Sequence, residues 1–193
     1  MTARRRLGSA QSATRALILD ATQEIMIGEG YAAVSTRRVA AKAGIKPALV
    51  QYYFPAMDEL LLALYRRGAE NVLERQTQAL ASGRPLHALW EVSTDPARAA
   101  LGIEFMALAN HRKAIGAEIA LFATRTRAVQ AEALAQLLGG RLLDLADYPP
   151  EGLTLILAGI ARALVMEQGI GMDFGHAQAL ELVGRWLRRL EPS

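Results

Sequence analysis

Four consecutive residues, Gly-Ile-Lys-Pro at positions 44–47, constrain the fold of this 193-residue chain more than any other feature. They separate two short stretches that each have the composition of a helix. Gly44 can adopt the left-handed backbone conformation that a sharp turn after a helix requires. Pro47 suits the first position of the next helix, because the N–H that it lacks would have no partner there. The four residues therefore predict a helix-turn-helix over about residues 35–54.

Helical composition extends through the rest of the chain. Alanine and leucine dominate, β-branched runs are rare, and no stretch shows the apolar–polar alternation of a half-buried strand. Glycine and proline clusters divide the sequence, and the pattern predicts helices over residues 13–29, 35–43, 57–80, 97–109, 112–138, 150–168 and 175–190. The fold is therefore predicted to be all-α.

Apolar spacing predicts how the first helices pack. The apolar face of the first helix is predicted to consist of Leu17, Ile18, Ala21, Ile25 and Met26. Val39, Ile45 and Val50 are expected to hold the two motif helices together, and Ser35 or Thr36 to cap the first of them. We expect a helix-turn-helix domain over residues 12–58 and a larger helical domain over residues 59–193.

Composition excludes several kinds of site. The chain has no cysteine, which rules out disulfides, a thiol nucleophile and a cysteine-ligated metal. His87, His111 and His176 are far apart in sequence and lack metal-site spacing, so no metal or other cofactor is expected. The sequence contains no GxSxG motif and no phosphate-binding loop. A helical enzyme is the least supported function, although folding can still bring distant catalytic residues together.

Hydropathy argues against a membrane protein. The longest apolar stretch, residues 152–166, is interrupted by Arg162 and is shorter than the roughly 20 residues of a membrane span. The N-terminal arginines have no apolar run behind them, so they do not form a secretory signal. We therefore expect a cytoplasmic protein.

The charge distribution points to nucleic acid. A net charge of +3 is too small to indicate a polyanion binder, so the positions of the charges matter more than their number. No Asp or Glu occurs between Gly30 and Met57, whereas four basic residues do: Arg37, Arg38, Lys42 and Lys46. The second motif helix is expected to expose Pro47, Ala48, Leu49, Gln51 and Tyr52. Such a surface suits entry into a DNA groove. The alternative is an ordinary helix pair with a solvated basic face and tyrosines that belong to the core.

Residues 14–64 resemble the N-terminal domain of the tetracycline-repressor (TetR) family of transcriptional regulators. The resemblance is carried by the segments Leu17-Ile18-Leu19-Asp20-Ala21, Gly30-Tyr31, Ser35-Thr36-Arg37-Arg38-Val39-Ala40, Ala43-Gly44-Ile45, Tyr52-Tyr53-Phe54 and Asp58-Glu59-Leu60-Leu61. It covers about the first third of the chain. It implies a TetR-like fold with an N-terminal three-helix DNA-binding domain and a C-terminal helical domain for effector binding and dimerisation.

The resemblance also implies a function. It suggests a one-component regulator, expected to be a repressor, that binds palindromic operator DNA as a homodimer and is released by a small-molecule effector. The implied DNA contacts are Thr36 and Arg37 at phosphate, Lys46, Pro47, Ala48 and Leu49 in the groove, and Tyr52 and Tyr53 at the backbone. Phe54 matches the aromatic residue that closes the motif. An architectural DNA-binding protein without an effector is the alternative.

Four positions depart from the pattern of the resembled family. Leu49 occupies a position that is often a small hydroxyl residue, so a contact with a thymine methyl group is expected instead. Gln51 replaces a common tyrosine and can reach adenine or a phosphate. Lys46 stands where a serine often caps the helix, and Met57 where a phosphate-binding lysine is frequent.

The second domain is expected to sense and to dimerise. Candidates for the effector pocket are polar or aromatic residues among apolar ones: Trp90, Phe105, Met106, Asn110, His111, Phe122, Arg125, Met166 and Gln168. Apolar stripes predict a dimer interface formed by Leu153, Leu157, Ile160, Leu164, Leu180, Val183, Leu187 and Leu190. Periodicity supports an intramolecular core for these stripes equally well. No role follows from the sequence for the distinctive segment 104–113.

The N-terminal tail, residues 1–11, carries Arg4, Arg5 and Arg6 and is expected to be disordered in the free protein. It is either a solvated chain end or an arm that reaches the minor groove beside the recognition helix. In the second case its charges compensate for the missing lysine at Met57.

Overall fold

The structure, a computed structural model, describes residues 2–139 and 149–191, and within these residues it contains helices and turns but no strand, as the sequence predicts. Its elements are α1 (Thr2–Glu29), a 3₁₀ turn (Tyr31–Ala33), α2 (Thr36–Lys42), α3 (Pro47–Tyr53), α4 (Met57–Leu80), α5 (Pro85–Ser93), α6 (Pro96–His111), α7 (Lys113–Gly139), α8 (Pro150–Gly169) and α9 (His176–Leu190). The sequence pattern did not predict α5, which lies between two proline-containing breaks.

Helix α1 begins at Thr2, so the backbone of the predicted arm continues this helix where the sequence pattern predicts disorder. The side chains of residues 2–11, which include Arg4, Arg5 and Arg6, lie outside the described part of the structure. Their contact with DNA stays a prediction.

The chain divides into two compact units. As far as the structure describes them, one unit contains Met1–Gly68 and Glu104–Glu118, and the other contains Ala69–Ile103 and Ile119–Ser193. This division differs from the predicted boundary at residue 58, since the first unit also includes residues 59–68 of α4. A later segment of the chain also belongs to the first unit.

The core of the first unit includes one face of α1. Ile18, Leu19 and Met26 on this helix are almost completely buried, but Leu17 is 43% exposed. The prediction for Leu17 is wrong because the buried face is centred one residue further along the helix. Thr22 lies in the middle of this face, where its hydroxyl group donates a hydrogen bond of 2.7 Å to the Ile18 carbonyl and can therefore be buried.

The predicted helix-turn-helix is confirmed in its details. Ser35 is the N-cap of α2, and its hydroxyl group accepts a hydrogen bond of 3.4 Å from the backbone N–H of Arg38. Gly44 has a φ of +66°, the left-handed conformation expected of it. Pro47 opens α3, and Lys46 before it makes no side-chain capping bond. Val39 and Val50 are buried where α2 meets α3, with Ile45 half-buried between them in the chain.

Replacing Gly44 with alanine is expected to destabilise the protein by about 1–2 kcal/mol, the cost of left-handed backbone for a residue with a Cβ atom. No atom lies within 4 Å of the position that this Cβ would occupy, so the cost comes from the backbone alone. Gly28→Ala is the matched control, because a Cβ added at Gly28 also has no atom within 4 Å and Gly28 lies within α1. It should stabilise by about 0.5–1 kcal/mol. Urea unfolding of the full chain measures both, and equal effects would contradict the assigned turn.

The segment Glu104–Glu118 belongs to the first unit through specific contacts. The carboxylate of Glu104 accepts a hydrogen bond of 2.7 Å from the backbone N–H of Tyr31. The rings of Phe105 and Tyr65 meet edge to face, with centroids 5.2 Å apart. Arg112 pairs with Asp58, and Glu118 pairs with Arg66 at 2.8 Å. These contacts give segment 104–113 a structural role that its sequence did not reveal.

A second apolar cluster forms within the other unit. Leu86, Leu134, Val183 and Leu187 are buried together, and Trp90, Leu157, Ile160 and Leu190 pack against them. Val183 is only 1% exposed, so it cannot contact a partner subunit. The predicted dimer interface is therefore wrong at Val183 and Leu187, which form intramolecular core. Periodicity alone could not separate the two possibilities.

Helix α8 has 20 residues and is apolar enough, by length and composition alone, to cross a membrane. The sequence predicts an apolar segment shorter than a membrane span, at residues 152–166. The helix is longer than that segment, because it begins at Pro150 and ends at Gly169. Core helices pass the same test, but only 22% of the apolar window is buried here. Much of its apolar surface is thus left open, and Leu155 and Ile156 are both half exposed.

Candidate nucleic-acid interface

The outer face of α3 is formed by the residues that the sequence predicts. Pro47, Ala48, Leu49, Gln51 and Tyr52 are all exposed, and Tyr52 most of all at 69%. Leu49 and Tyr52 border a shallow concavity together with Gly44, Ile45, Lys46 and Ala48. A short helix that presents small, apolar and amide side chains outward has the shape and chemistry for reading base edges.

The orientation of α3 follows from its two inward residues. Val50 and Phe54 are four positions apart, so they lie on one side of the helix, and both are buried. The N–H of Phe54 donates a hydrogen bond of 2.9 Å to the Val50 carbonyl and ends the helix. The guanidinium of Arg15 lies 5.3 Å from the centre of the Phe54 ring, a cation–π contact with α1. Phe54 therefore closes the motif, in agreement with the role that the sequence resemblance implies.

The two adjacent tyrosines have different environments. Tyr53 is half-buried, whereas Tyr52 projects into solvent. Their rings meet edge to face at 5.3 Å with an angle of 89° between the planes. This contact restricts the Tyr52 ring before any partner arrives. Burial in the core accounts for part of the Tyr53 side chain, but it gives no reason for a tyrosine at position 52, which is mostly exposed.

Two of the four cations in the acid-free stretch are engaged by acids of α1. Arg38 pairs with Glu29, and Lys42 pairs with Glu24 at 2.8 Å. The hydrogen bond and charge of Glu24 raise the pKa of Lys42 above its ordinary value. The stretch itself contains no acidic residue, but acidic residues of α1 lie beside it because α1 packs against α2.

Arg37 and Lys46 differ from the other two cations. Both are exposed, and neither forms an ion pair with a residue that the structure describes. They are therefore the cations of α2 and its following turn that remain available to phosphate. Thr36, the other predicted phosphate contact, is half-buried, as is Met57 at the start of α4.

The predicted effector residues are divided between the two units. Phe105, Met106, Asn110 and His111 belong to the first unit, where Phe105 is buried against Tyr65. Trp90, Phe122, Arg125, Met166 and Gln168 belong to the second unit, where Arg125 and Gln168 are exposed. Their roles in effector binding stay predictions.

Sequence reasoning missed other features of the second unit. A cavity of about 190 Å³ lies among α5, α7, α8 and α9, and none of the predicted effector residues lines it. Among the described residues, Gln76 Oε1 and Thr126 Oγ1 are buried without a hydrogen-bond partner. Gln76 stands at helical spacing with Val72 and Ala79, a signal that could have marked it as an inward polar group. The cavity has no sequence signal.

Comparison with known proteins places these features in a family. Residues 18–64 match the family described as bacterial regulatory proteins, tetR family. The chain is 35% identical over 83 residues to an uncharacterized HTH-type transcriptional regulator in the dhlA 5' region of Xanthobacter autotrophicus. This match covers 42% of the chain and 41% of that relative, so it spans less than half of either protein.

Solved structures extend the likeness of fold to most of the chain. A TetR transcription regulator from Haloarcula marismortui has a TM-score of 0.73 at 18% identity, over 93% of this chain and 97% of that one. A regulator from Saccharomonospora viridis in complex with choline has a TM-score of 0.72 at 19% identity, over 81% of this chain and 85% of that one. The helical second unit is thus part of a fold shared with such regulators.

Proposed function

We propose that this chain, which belongs to the tetR family of bacterial regulatory proteins, is a ligand-responsive transcriptional repressor that binds an inverted-repeat operator as a homodimer. The observation that carries the proposal is the outward face of α3, where exposed Leu49, Gln51 and Tyr52 stand on a buried base of Val50 and Phe54. Such a helix enters the major groove, and a two-fold protein reads a two-fold site.

Each exposed residue has a distinct role in the proposed complex. Leu49 contacts a thymine methyl group, and Gln51 reaches an adenine edge or a phosphate. Tyr52 packs along the sugar–phosphate backbone and donates its hydroxyl hydrogen to a phosphate. Arg37 and Lys46 neutralise phosphates on either side of the groove. The arm with Arg4, Arg5 and Arg6 adds backbone attraction in place of a lysine at Met57.

The dimer interface is proposed to use the apolar surface that α8 and α9 leave exposed. Val183 and Leu187 of α9 are buried, whereas Leu180, Leu182 and Trp186 of the same helix are exposed. Leu155 and Ile156 supply the exposed apolar residues of α8. Large apolar side chains that stay exposed on two helices are suited to an interaction with a second copy of the chain. The former candidates Leu153, Leu157, Ile160 and Leu164 are half-buried.

Effector control is proposed to act by a population shift. The ligand binds more tightly to a conformation in which the spacing of the two recognition helices does not fit successive major grooves. It thereby lowers the population of dimers that can bind the operator. The choline complex of the Saccharomonospora viridis regulator supports the capacity of this fold to hold a small molecule. The cavity in the second unit favours ligand control over an effector-independent architectural protein, for which a closed core is expected. The cytoplasm, where the operator DNA lies, is the proposed compartment.

Selection from random duplexes tests the proposal. The full chain should enrich inverted repeats with half-sites about one helical turn, or a multiple of it, apart. Two or four chains should bind each recovered site, as measured by light scattering of the complex. Enrichment of asymmetric single sites bound by one chain would exclude a dimeric repressor, and no enrichment at all would exclude specific DNA binding.

A further inference from the structure

The cavity of the second unit is almost entirely apolar. Leu86 of α5, Leu134 of α7, Leu157 of α8 and Trp186 of α9 contribute to its walls. Arg189, near the end of α9, is the one charged residue among the described residues that line it. Ligand sites in proteins have this composition, with a predominantly apolar lining and a few polar groups that fix orientation.

The volume of the cavity limits what it can hold. An apolar cavity of about 150 Å³ lined by Leu, Ile and Phe stays dry and binds benzene. At about 190 Å³, the present cavity accommodates a single ring with a short side chain, or a branched aliphatic chain of similar volume. Its wall atoms lack packing partners on one side, so an occupant of matching shape restores these contacts.

The charge of Arg189 gives the occupant a polar end. Arg189 is exposed, and it forms no ion pair with a residue that the structure describes. The nearest acid in sequence, Glu191, is already engaged, because it accepts hydrogen bonds from the backbone N–H groups of Leu86 and His87 and pairs with the His87 ring. Arg189 lines an otherwise apolar cavity and carries a guanidinium, a group that forms charge-assisted hydrogen bonds with a carboxylate.

We propose that this cavity binds a compact apolar carboxylic acid, with the ring or chain inside and the carboxylate at Arg189. This identification of the effector class rests on the proposed regulator, in which the acid is the ligand that controls DNA binding. Ile156 and Trp186 line the cavity and are also exposed on the proposed dimer surface. The bound acid therefore lies beside that surface, where its presence can bias how two subunits pair.

Phenylpropionate and its neutral amide, phenylpropionamide, test the proposal. The chain has two tryptophans, so Trp90→Phe leaves Trp186 in the cavity wall as the single fluorescent reporter. The acid should produce a saturable change in Trp186 emission and bind about fivefold more tightly than the amide, as a partly exposed ion pair allows. Arg189→Gln should remove this preference, so that acid and amide bind with equal affinity, because the polar end then meets no cation.

A cavity-filling variant supplies the second arm of the test. Leu153→Phe occupies part of the cavity and should weaken phenylpropionate binding at least about tenfold, since the ring then lacks space. Leu121→Phe, an equal change at an exposed site of α7, is the matched control and should bind as the parent does. Circular dichroism checks that Leu153→Phe folds. If Leu153→Phe does not fold, the result for Arg189→Gln, a change at an exposed site, decides whether the cavity binds the acid.

Three results would overturn the proposal. They are the absence of a saturable Trp186 response, equal affinity for acid and amide in the parent, and binding that occurs only when the chain is diluted to monomers. The last result would mean that a side chain of the second copy fills the cavity. DNA binding by the same variants is measured in parallel. Operator binding without any probe response refutes this inference alone, whereas probe binding without DNA binding refutes the repressor and leaves the ligand site.

Discussion

Neutralising Arg37 and Lys46 together, as Arg37→Gln with Lys46→Gln, should weaken operator binding about 60-fold at about 0.1 M salt. The reason is counterion release, in which each phosphate contact contributes roughly eightfold at this salt concentration and about 0.9 to the slope of log K against log salt. The slope should therefore fall by about 1.8. Fluorescence anisotropy of a labelled duplex from the selection, titrated at several salt concentrations, measures both quantities.

The matched control removes the same amount of charge from the same stretch. Arg38→Gln with Lys42→Gln loses two cations that already pair with Glu29 and Glu24 of α1. Because these ion pairs are exposed, the stability of the fold should change by less than about 1 kcal/mol. Operator affinity should fall by less than about threefold, with a slope change below about 0.5. If both double variants lose affinity equally, DNA is attracted by overall charge and not by the two assigned contacts.

Replacing Glu191 with alanine should destabilise the protein by about 3 kcal/mol and lower its melting temperature by about 6–12 °C. The Glu191 side chain is only 1% exposed although it follows the last helix. Its carboxylate accepts bonds of 3.1 and 3.2 Å from the N–H groups of Leu86 and His87, and one of 2.7 Å from His87 Nδ1. It thereby caps the start of α5, where Arg84 makes no capping bond. Calorimetry of the full chain measures the change.

Glu181→Ala is the control for Glu191→Ala. Glu181 lies on α9 and pairs with Arg185 one turn away, but both side chains are exposed. Its removal should cost less than about 0.5 kcal/mol. Equal destabilisation by the two variants would refute the capping role of Glu191.

The same carboxylate predicts a dependence of stability on pH. Burial alone would raise the pKa of Glu191, but the hydrogen bonds from His87 and Leu86 and the charge of His87 bring it below its ordinary value of 4.5. A carboxylate with a lowered folded-state pKa contributes stability above pH 4.5 and loses it as the pH falls through the folded value. Glu191→Gln should remove that part of the acid sensitivity.

The helix-turn-helix could be predicted from sequence because local interactions determine it. Gly44 has the positive φ that its position in the turn requires, Pro47 opens α3, and Ser35 caps α2. Each of these features depends on residues within one turn of the helix end. The outward face of α3 followed for the same reason, since Val50 and Phe54 are the apolar residues at helical spacing.

The remaining features depend on contacts between distant parts of the chain. The pairing of Arg38 and Lys42 with acids of α1 requires α1 and α2 to be packed together, so the sequence suggested four available cations instead of two. Apolar periodicity on α9 gave no way to tell that Val183 faces Leu86 and Leu134 within the subunit. The cavity arises from imperfect packing among four helices, and no single segment encodes it.

Methylation protection of the selected operator tests most directly the central claim that the outer face of α3 reads the major groove. Guanine N7 is a major-groove atom, whereas adenine N3 lies in the minor groove. The bound protein should protect guanine N7 in two blocks whose centres are about one helical turn, or a multiple of it, apart, and Tyr52→Ala with Gln51→Ala should weaken both blocks together. Protection confined to adenine N3, or guanine N7 atoms that remain fully reactive under saturating protein, would contradict the docking of α3 in the major groove.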